Sequence, residues 1–274
     1  MSRQPAVASM TVSTPTASSS DDTATVVAVG VLAATLAAVC HETLGHVLGC
    51  LGSGGHVTLL TSIWFRCSKW SVVTGAGGPA GNLVAGFLAV ALLRRSGWSA
   101  TAKLFLLLSA GIDLFWFTGQ LAFESLTSRH DDWSWALQMG WPSVQRWVGV
   151  IVGIGGYALA ARVIAAVHSK EASPEEHAIR LGYAGAAASA VLAGLMWRPE
   201  PLRTALEGFL TLGVLPFALL SIARKAGRDG EEGMGNRSVP RSWLWIAVCG
   251  AIFGVFLLFQ ARGVGSMATS KLSP

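Results

Sequence analysis

The stretch "AAVCHETLGHVLGCLGSGGH", Ala37 to His56, sets two imidazoles and a carboxylate into an apolar helix-like run: His41, Glu42 and His46. Each ionisable group at the centre of a membrane helix costs about 2.5–3.5 kcal/mol on insertion scales, and such groups usually mark function. Imidazole and carboxylate are also ligands that suit zinc. The spacing differs from the HExxH pattern, whose histidines stand at i and i+4 on one helix face. Here they stand at i and i+5, and five steps of an ideal α-helix rotate roughly 140°. Two arrangements resolve this. A π-bulge, eased by Gly45, would widen the turn by one residue and swing both rings to one side, leaving Glu42 as a base. Alternatively Glu42 and His46, four apart, are the ligands, and His41 is a base or a supporting group. The widened turn is preferred because it provides two imidazoles and a separate carboxylate.

A zinc site that performs hydrolysis needs a third protein ligand and an open position. The candidates are His56, Asp113, His130, Asp131 and Asp132. The element carrying the motif is membrane-spanning. Apolar residues make up 52% of the chain and charged residues 13%, about half the roughly 25% of a soluble domain. The mean hydropathy is +0.52. Hydropathy divides the chain into about seven spans, with six to eight as the range, each of roughly 20 residues: 24–48, 71–93, 102–125, 146–168, 178–197, 204–223 and 242–261. The fifth and sixth are joined by "WRPEPLR", which is compatible with a re-entrant turn. The expected class is an all-α polytopic membrane protein with a short β-like segment after the first helix. Span parity narrows the ligand search. The first span ends near the motif, and the third ends on the same side, just before "SRHDDW". Asp113 lies mid-span, deeper than the motif.

Four regions follow from this reading. Residues 1–22, rich in Ser, Thr, Ala and Pro, form an expected disordered tail. Residues 23–135 hold the motif, the β-like segment and three spans. Residues 136–262 hold the remaining spans and the polar, Gly-rich loop 225–241, and 263–274 form a short tail. A cleaved signal peptide is not expected, because the first long apolar run starts late and carries the ionisable residues. "HVTLLTSIWFRC", His56 to Cys67, is rich in β-branched and aromatic residues and reads as one or two short strands. Pairs at GxxxG spacing, Gly77/Gly81, Gly149/Gly153 and Gly250/Gly254, read as helix packing. Tryptophans near span ends fit an interfacial belt.

The net charge of +5 is read as loops anchoring at lipid headgroups, not as a nucleic-acid surface. Of the 20 basic residues, 12 fall on the side of the N-terminal tail and the 225–241 loop. The positive-inside rule then places the N-terminus in the cytoplasm. Cys50 and Cys67 flank the first loop and would form a disulfide if that loop faces an oxidising compartment.

"HETLGHVLG", then "GGHVTLL" and "GAGGPAGNLVAG" resemble the site-2 protease class of intramembrane zinc metalloproteases. A GPxxN-type motif is matched by Gly78, Pro79 and Asn82, and "IDLFWFTGQLAFESLTSRHDDW" looks like a bacterial and fungal branch in which an Asp-Trp pair follows the third span. The resemblance covers residues 35–135. It departs from the class in the longer histidine spacing, in lacking an NPxxDG segment, and in the polar residues Gln120 and Glu124. It implies Zn²⁺ held by His41, His46 and Asp132, with Asp113 in reserve, and Glu42 as general base. It also implies a membrane-protein substrate that adds as a strand to the segment containing Thr61 and Ile63, a segment that reads equally as an interfacial loop anchored by Trp64 and Trp70; Asn82 would either hydrogen-bond the substrate backbone or tie the second span to the first. The other readings are a zinc-dependent lipid amidase or esterase, and a non-catalytic transporter or metal-binding scaffold.

Overall fold

The computed structural model describes residues 20–95, 97–127, 132–137, 142–169, 175–231 and 238–270. Seven of its helices are long and apolar enough to cross a membrane. They are α1 (Thr23–Gly52), α2 (Val72–Leu93), α3 (Ala100–Thr127), α4 (Pro142–Ser169), α5 (Glu176–Leu195), α6 (Pro201–Arg228) and α7 (Trp243–Ala261). The first loop contains an antiparallel hairpin, β1 (Val57–Leu60) and β2 (Phe65–Cys67). The chain is an all-α polytopic protein with one small two-stranded sheet, and it fits a multi-pass membrane protein. Large apolar side chains that would be costly in water face outward on several spans, among them Val84, Phe87, Ile151, Ile154, Leu244 and Phe259, as a lipid-facing surface requires.

Local chemistry fixes the helix starts beside the site. Asp22 caps α1 by accepting the Thr25 N–H at 2.9 Å, and Ser71 caps α2 by accepting the Thr74 N–H at 3.1 Å. Side-chain oxygens before the first turn satisfy backbone donors that have no partner within the helix. Helix α3 is the central element. Its most apolar window is 78% buried, and Leu104, Leu107, Leu108, Ile112, Phe115 and Trp116 are almost fully enclosed. It packs against α1, α2 and α4, so side chains on several of its faces reach other helices and not lipid.

Helices α1 and α2 meet backbone to backbone. A Cβ on Gly45 would lie 2.4 Å from the Gly77 carbonyl oxygen, and one on Gly78 would lie 2.3 Å from His46 Nε2. Of the GxxxG pairs, Gly77 and Gly81 face α1 and Gly153 faces Ala122 on α3, whereas a Cβ on Gly250 or Gly254 would meet open space among the described residues. Helix α6 is broken. A π-turn at Leu210–Val214 runs into a 3₁₀ turn at Leu215–Phe217 containing Pro216. Tyr157 of α4 repairs the break, donating to the Leu215 carbonyl at 2.6 Å and accepting the Ala218 N–H at 3.2 Å. The residues before α6 form a tight turn between two spans, and the segment expected as a loop from 225 remains helical to Glu231.

The expected short tail after α7 has defined partners. Val264 pairs with Leu60 through two backbone bonds of 2.8 and 2.9 Å, and the Met267 N–H donates to the Thr58 carbonyl at 2.8 Å. Gly263 and Gly265, at φ of 89° and 112°, supply the left-handed conformations that let the chain leave α7 and run along β1. The expected disordered tail lies, up to residue 19, outside the described residues.

Candidate metal centre

Val39–Val47 of α1 is a π-helical segment. Its wider turn overcomes the divergence that the five-residue spacing imposes on an α-helix. His41 Nε2 and His46 Nε2 lie 3.2 Å apart. Asp132, beyond the end of α3, completes the group. Its Oδ2 is 2.7 Å from His41 Nε2 and its Oδ1 is 3.0 Å from His46 Nε2. All the candidate ligand atoms fall within 4.8 Å of one another. Zinc bonds of about 2.0–2.2 Å place the corners of a tetrahedron roughly 3.3 Å apart, so the donor set and its spacing fit a metal ion of that size. The buried cluster of His41, His46 and Asp132 could hold a metal ion.

Neighbouring groups aim each ligand. His46 Nδ1 lies 2.7 Å from the Thr74 carbonyl oxygen, which assigns the proton to Nδ1 and leaves the Nε2 lone pair facing the shared point. The His41 ring stacks on Trp116 with centroids 4.2 Å apart and planes 14° apart. The His46 ring stacks on Phe65 at 5.3 Å, also at 14°. Asn82 is fully buried and interacts with His41 across the α1–α2 contact, although neither amide atom completes a well-aligned hydrogen bond there.

Asp132 is held from α3. Gln120 Nε2 donates to Asp132 Oδ2 at 3.0 Å, and the Trp116 indole N–H donates to Gln120 Oε1 at 2.8 Å. One turn further on, Glu124 Oε2 accepts the Trp133 N–H at 3.0 Å. Trp116, Gln120 and Glu124 stand four residues apart, so they share one helix face. Gln120 therefore holds the carboxylate and Glu124 the backbone next to it. Their sequence signal was this i, i+4, i+8 spacing ending just before the Asp-Trp pair. Burial pushes the Asp132 carboxyl up; protonated imidazoles at His46 and His41, the state with no ion between them, outweigh it and hold the group well below the usual carboxylate range.

Glu42 is 2% exposed and shares a cavity of about 70 Å³ with His41, His46 and Asp132, lined also by Ile63, Trp64, Phe65, Trp116 and Glu207. That volume admits an ion with a few water molecules. The remaining sequence candidates lie elsewhere. Asp113 is buried within α3 and is not part of the group. His56 is exposed and its Nδ1 lies 2.9 Å from Ser68 Oγ. His130 and Asp131 lie outside the described residues. Ile63 lines the cavity, whereas the Thr61 hydroxyl accepts the Trp64 N–H at 2.8 Å within the hairpin turn.

Two contributions were not anticipated. Gln260 of α7 accepts the Thr43 hydroxyl at 2.9 Å and donates to the Thr61 carbonyl at 3.0 Å, joining the motif helix to the hairpin. An amide in an otherwise apolar span was the available signal. Helix α6 meets the same hairpin through the Trp64 indole N–H, which donates to Thr204 Oγ1 at 3.1 Å. Cys50 and Cys67 are disulfide-bonded, with Cα atoms 5.9 Å apart, which secures β2 to the end of α1.

The fold and the cluster define a class: an all-α polytopic protein, with seven apolar helices among the described residues that fit a multi-pass membrane protein, and a buried His/His/Asp group that could hold a metal ion. No known protein family, curated protein or solved structure matches this chain.

Proposed function

We propose that this chain is a membrane-embedded zinc metalloprotease, similar to the site-2 protease class, that hydrolyses peptide bonds of membrane-associated proteins. The observation that carries the reading is the convergence of His41, His46 and Asp132 on one point with Glu42 in the same buried cavity. His41, His46 and Asp132 would hold the ion. Zinc held by them would supply a water of lowered pKa and a Lewis acid for the scissile carbonyl oxygen. Glu42 takes the proton of the attacking water and delivers it to the leaving amine nitrogen.

The hairpin favours a peptide substrate over a lipid. The outer edge of β1 is taken by Val264 and Met267, while β2 runs past the cavity through Phe65. An extended segment would add along β2, with Ile63 packing on it and Asn82 hydrogen-bonding its backbone. Thr61 supports the edge by shaping the turn. The surplus of basic residues on the N-terminal side supports a cytoplasmic N-terminus.

The test is metal content of purified protein together with cleavage of a membrane-protein substrate. Wild type carries zinc and His46→Ala does not. Glu42→Gln retains zinc and loses turnover. Loss of metal from Glu42→Gln would make that carboxylate a ligand and overturn its role as base.

A further inference from the structure

The metalloprotease reading leaves open which side of the membrane supplies the substrate. We propose that the cavity opens to the oxidising, exported side, and that its substrate is a polypeptide segment presented there by a membrane-anchored protein. This substrate assignment rests on the proteolytic reading; the sidedness does not.

The argument starts from the cysteines. Cys50 closes α1 and Cys67 closes β2, and the two are bonded. Cys40 and Cys249, which lie within spans, are unpaired. Disulfides persist in oxidising compartments and are rare where thiols are kept reduced. The bonded pair is inseparable from the metal centre. Phe65, two residues before Cys67, stacks on His46 at 5.3 Å, so hairpin and cluster occupy one membrane face. The same face is marked by the start of α6, through Trp64 and Thr204, and by the end of α7, through Gln260 and Thr61. These contacts fix the parity of the crossings independently of hydropathy.

Charge gives the same answer. The loops and span ends on the cluster's face carry 8 of the 20 basic residues. The opposite face carries the surplus, as the cytoplasmic side of a polytopic protein does. A cavity of about 70 Å³ cannot enclose a folded helix. The substrate therefore arrives as an unfolded segment, and a centre at the span ends is within reach of one that lies beside its own membrane anchor.

Sidedness is tested in intact cells with a membrane-impermeant maleimide. Arg198 and Arg95 are exposed, in turns on opposite faces. Arg198→Cys should label above the wild-type level and as fully before permeabilisation as after. Arg95→Cys should label only after permeabilisation. Cys50 and Cys67 should resist alkylation until reduced. Reversed labelling, or free Cys50 and Cys67 thiols in cells, overturns the proposal. Substrate side is tested by profiling new protein N-termini in membranes from cells expressing wild type or Glu42→Gln. Termini lost in Glu42→Gln should map to exported juxtamembrane segments. Their mapping to cytoplasmic segments overturns the proposal. Correct sidedness with no Glu42-dependent termini on either side overturns the proteolytic reading and the substrate assignment with it, and leaves the orientation standing.

Discussion

His41 and His46 are five residues apart on one helix, yet their Nε2 atoms lie 3.2 Å from each other. An α-helix would turn one ring away from the other, and the π-helical segment Val39–Val47 removes that divergence. The widening coincides with the closest approach of α2, where Gly45 meets the Gly77 carbonyl. Gly45→Ala should therefore disturb both packing and the centre. Its Cβ would sit 2.4 Å from a backbone oxygen, which must move. The expected cost is about 1–3 kcal/mol. Thermal unfolding should show the destabilisation, and metal content should fall with it. An alanine variant of unchanged stability and full metal content would show that the contact does not govern the turn.

The Asp132 carboxylate depends on groups that touch no candidate ion. Gln120→Leu removes the donor to Oδ2 and leaves the Trp116 indole without its acceptor. Glu124→Ala releases the Trp133 N–H. Removing such supporting bonds typically weakens metal affinity about 10–100-fold. Chelator competition should place each variant in that range, with Gln120→Glu retaining more affinity than Gln120→Leu if its carboxyl is protonated and donates to Asp132. Affinity equal to wild type in Gln120→Leu would show that the backbone alone positions Asp132.

Legibility in the sequence followed physical cost. The spans could be read because every apolar run must match the bilayer thickness. The motif stood out because His41, Glu42 and His46 are expensive in lipid. Asp132 came within reach through crossing parity, which requires no contact to be known. What could not be read was pairing between distant residues whose types are individually unremarkable. Gln120 and Glu124 looked like departures because a helix face has meaning only once its neighbour is known. Gln260 and the run from Val264 to Met267 lie about 200 residues from the hairpin they hold, and no local pattern marks a segment that pairs over so few residues. Thr61 has the composition of a strand residue, but its hydroxyl closes the hairpin turn.

The disulfide should matter for stability as well as sidedness. Cys50 and Cys67 are 17 residues apart, and closing a loop of that size restricts the unfolded chain by about 3 kcal/mol. Replacing both by serine should lower the unfolding temperature. It should also loosen β2, and with it the Phe65 ring stacked on His46. Reductant should reproduce the shift in wild type and leave the double variant unchanged. Equal sensitivity of both proteins to reductant would assign the effect elsewhere.

Tyr157 offers a variant that separates stability from metal binding. Its hydroxyl bonds the Leu215 carbonyl and the Ala218 N–H on either side of Pro216, where the backbone of α6 cannot continue its own hydrogen-bond ladder. Tyr157→Phe strands both groups in a span, at a cost of about 1–3 kcal/mol for each buried group left unsatisfied. Tyr157 belongs to α4 and does not line the metal cavity. Detergent-solubilised Tyr157→Phe should therefore unfold at lower temperature while keeping the metal content of wild type below its transition. If metal content fell in parallel with stability, the broken helix α6 would be coupled to the cluster, and Glu207, which α6 contributes to the cavity wall, would be the place to look for the connection.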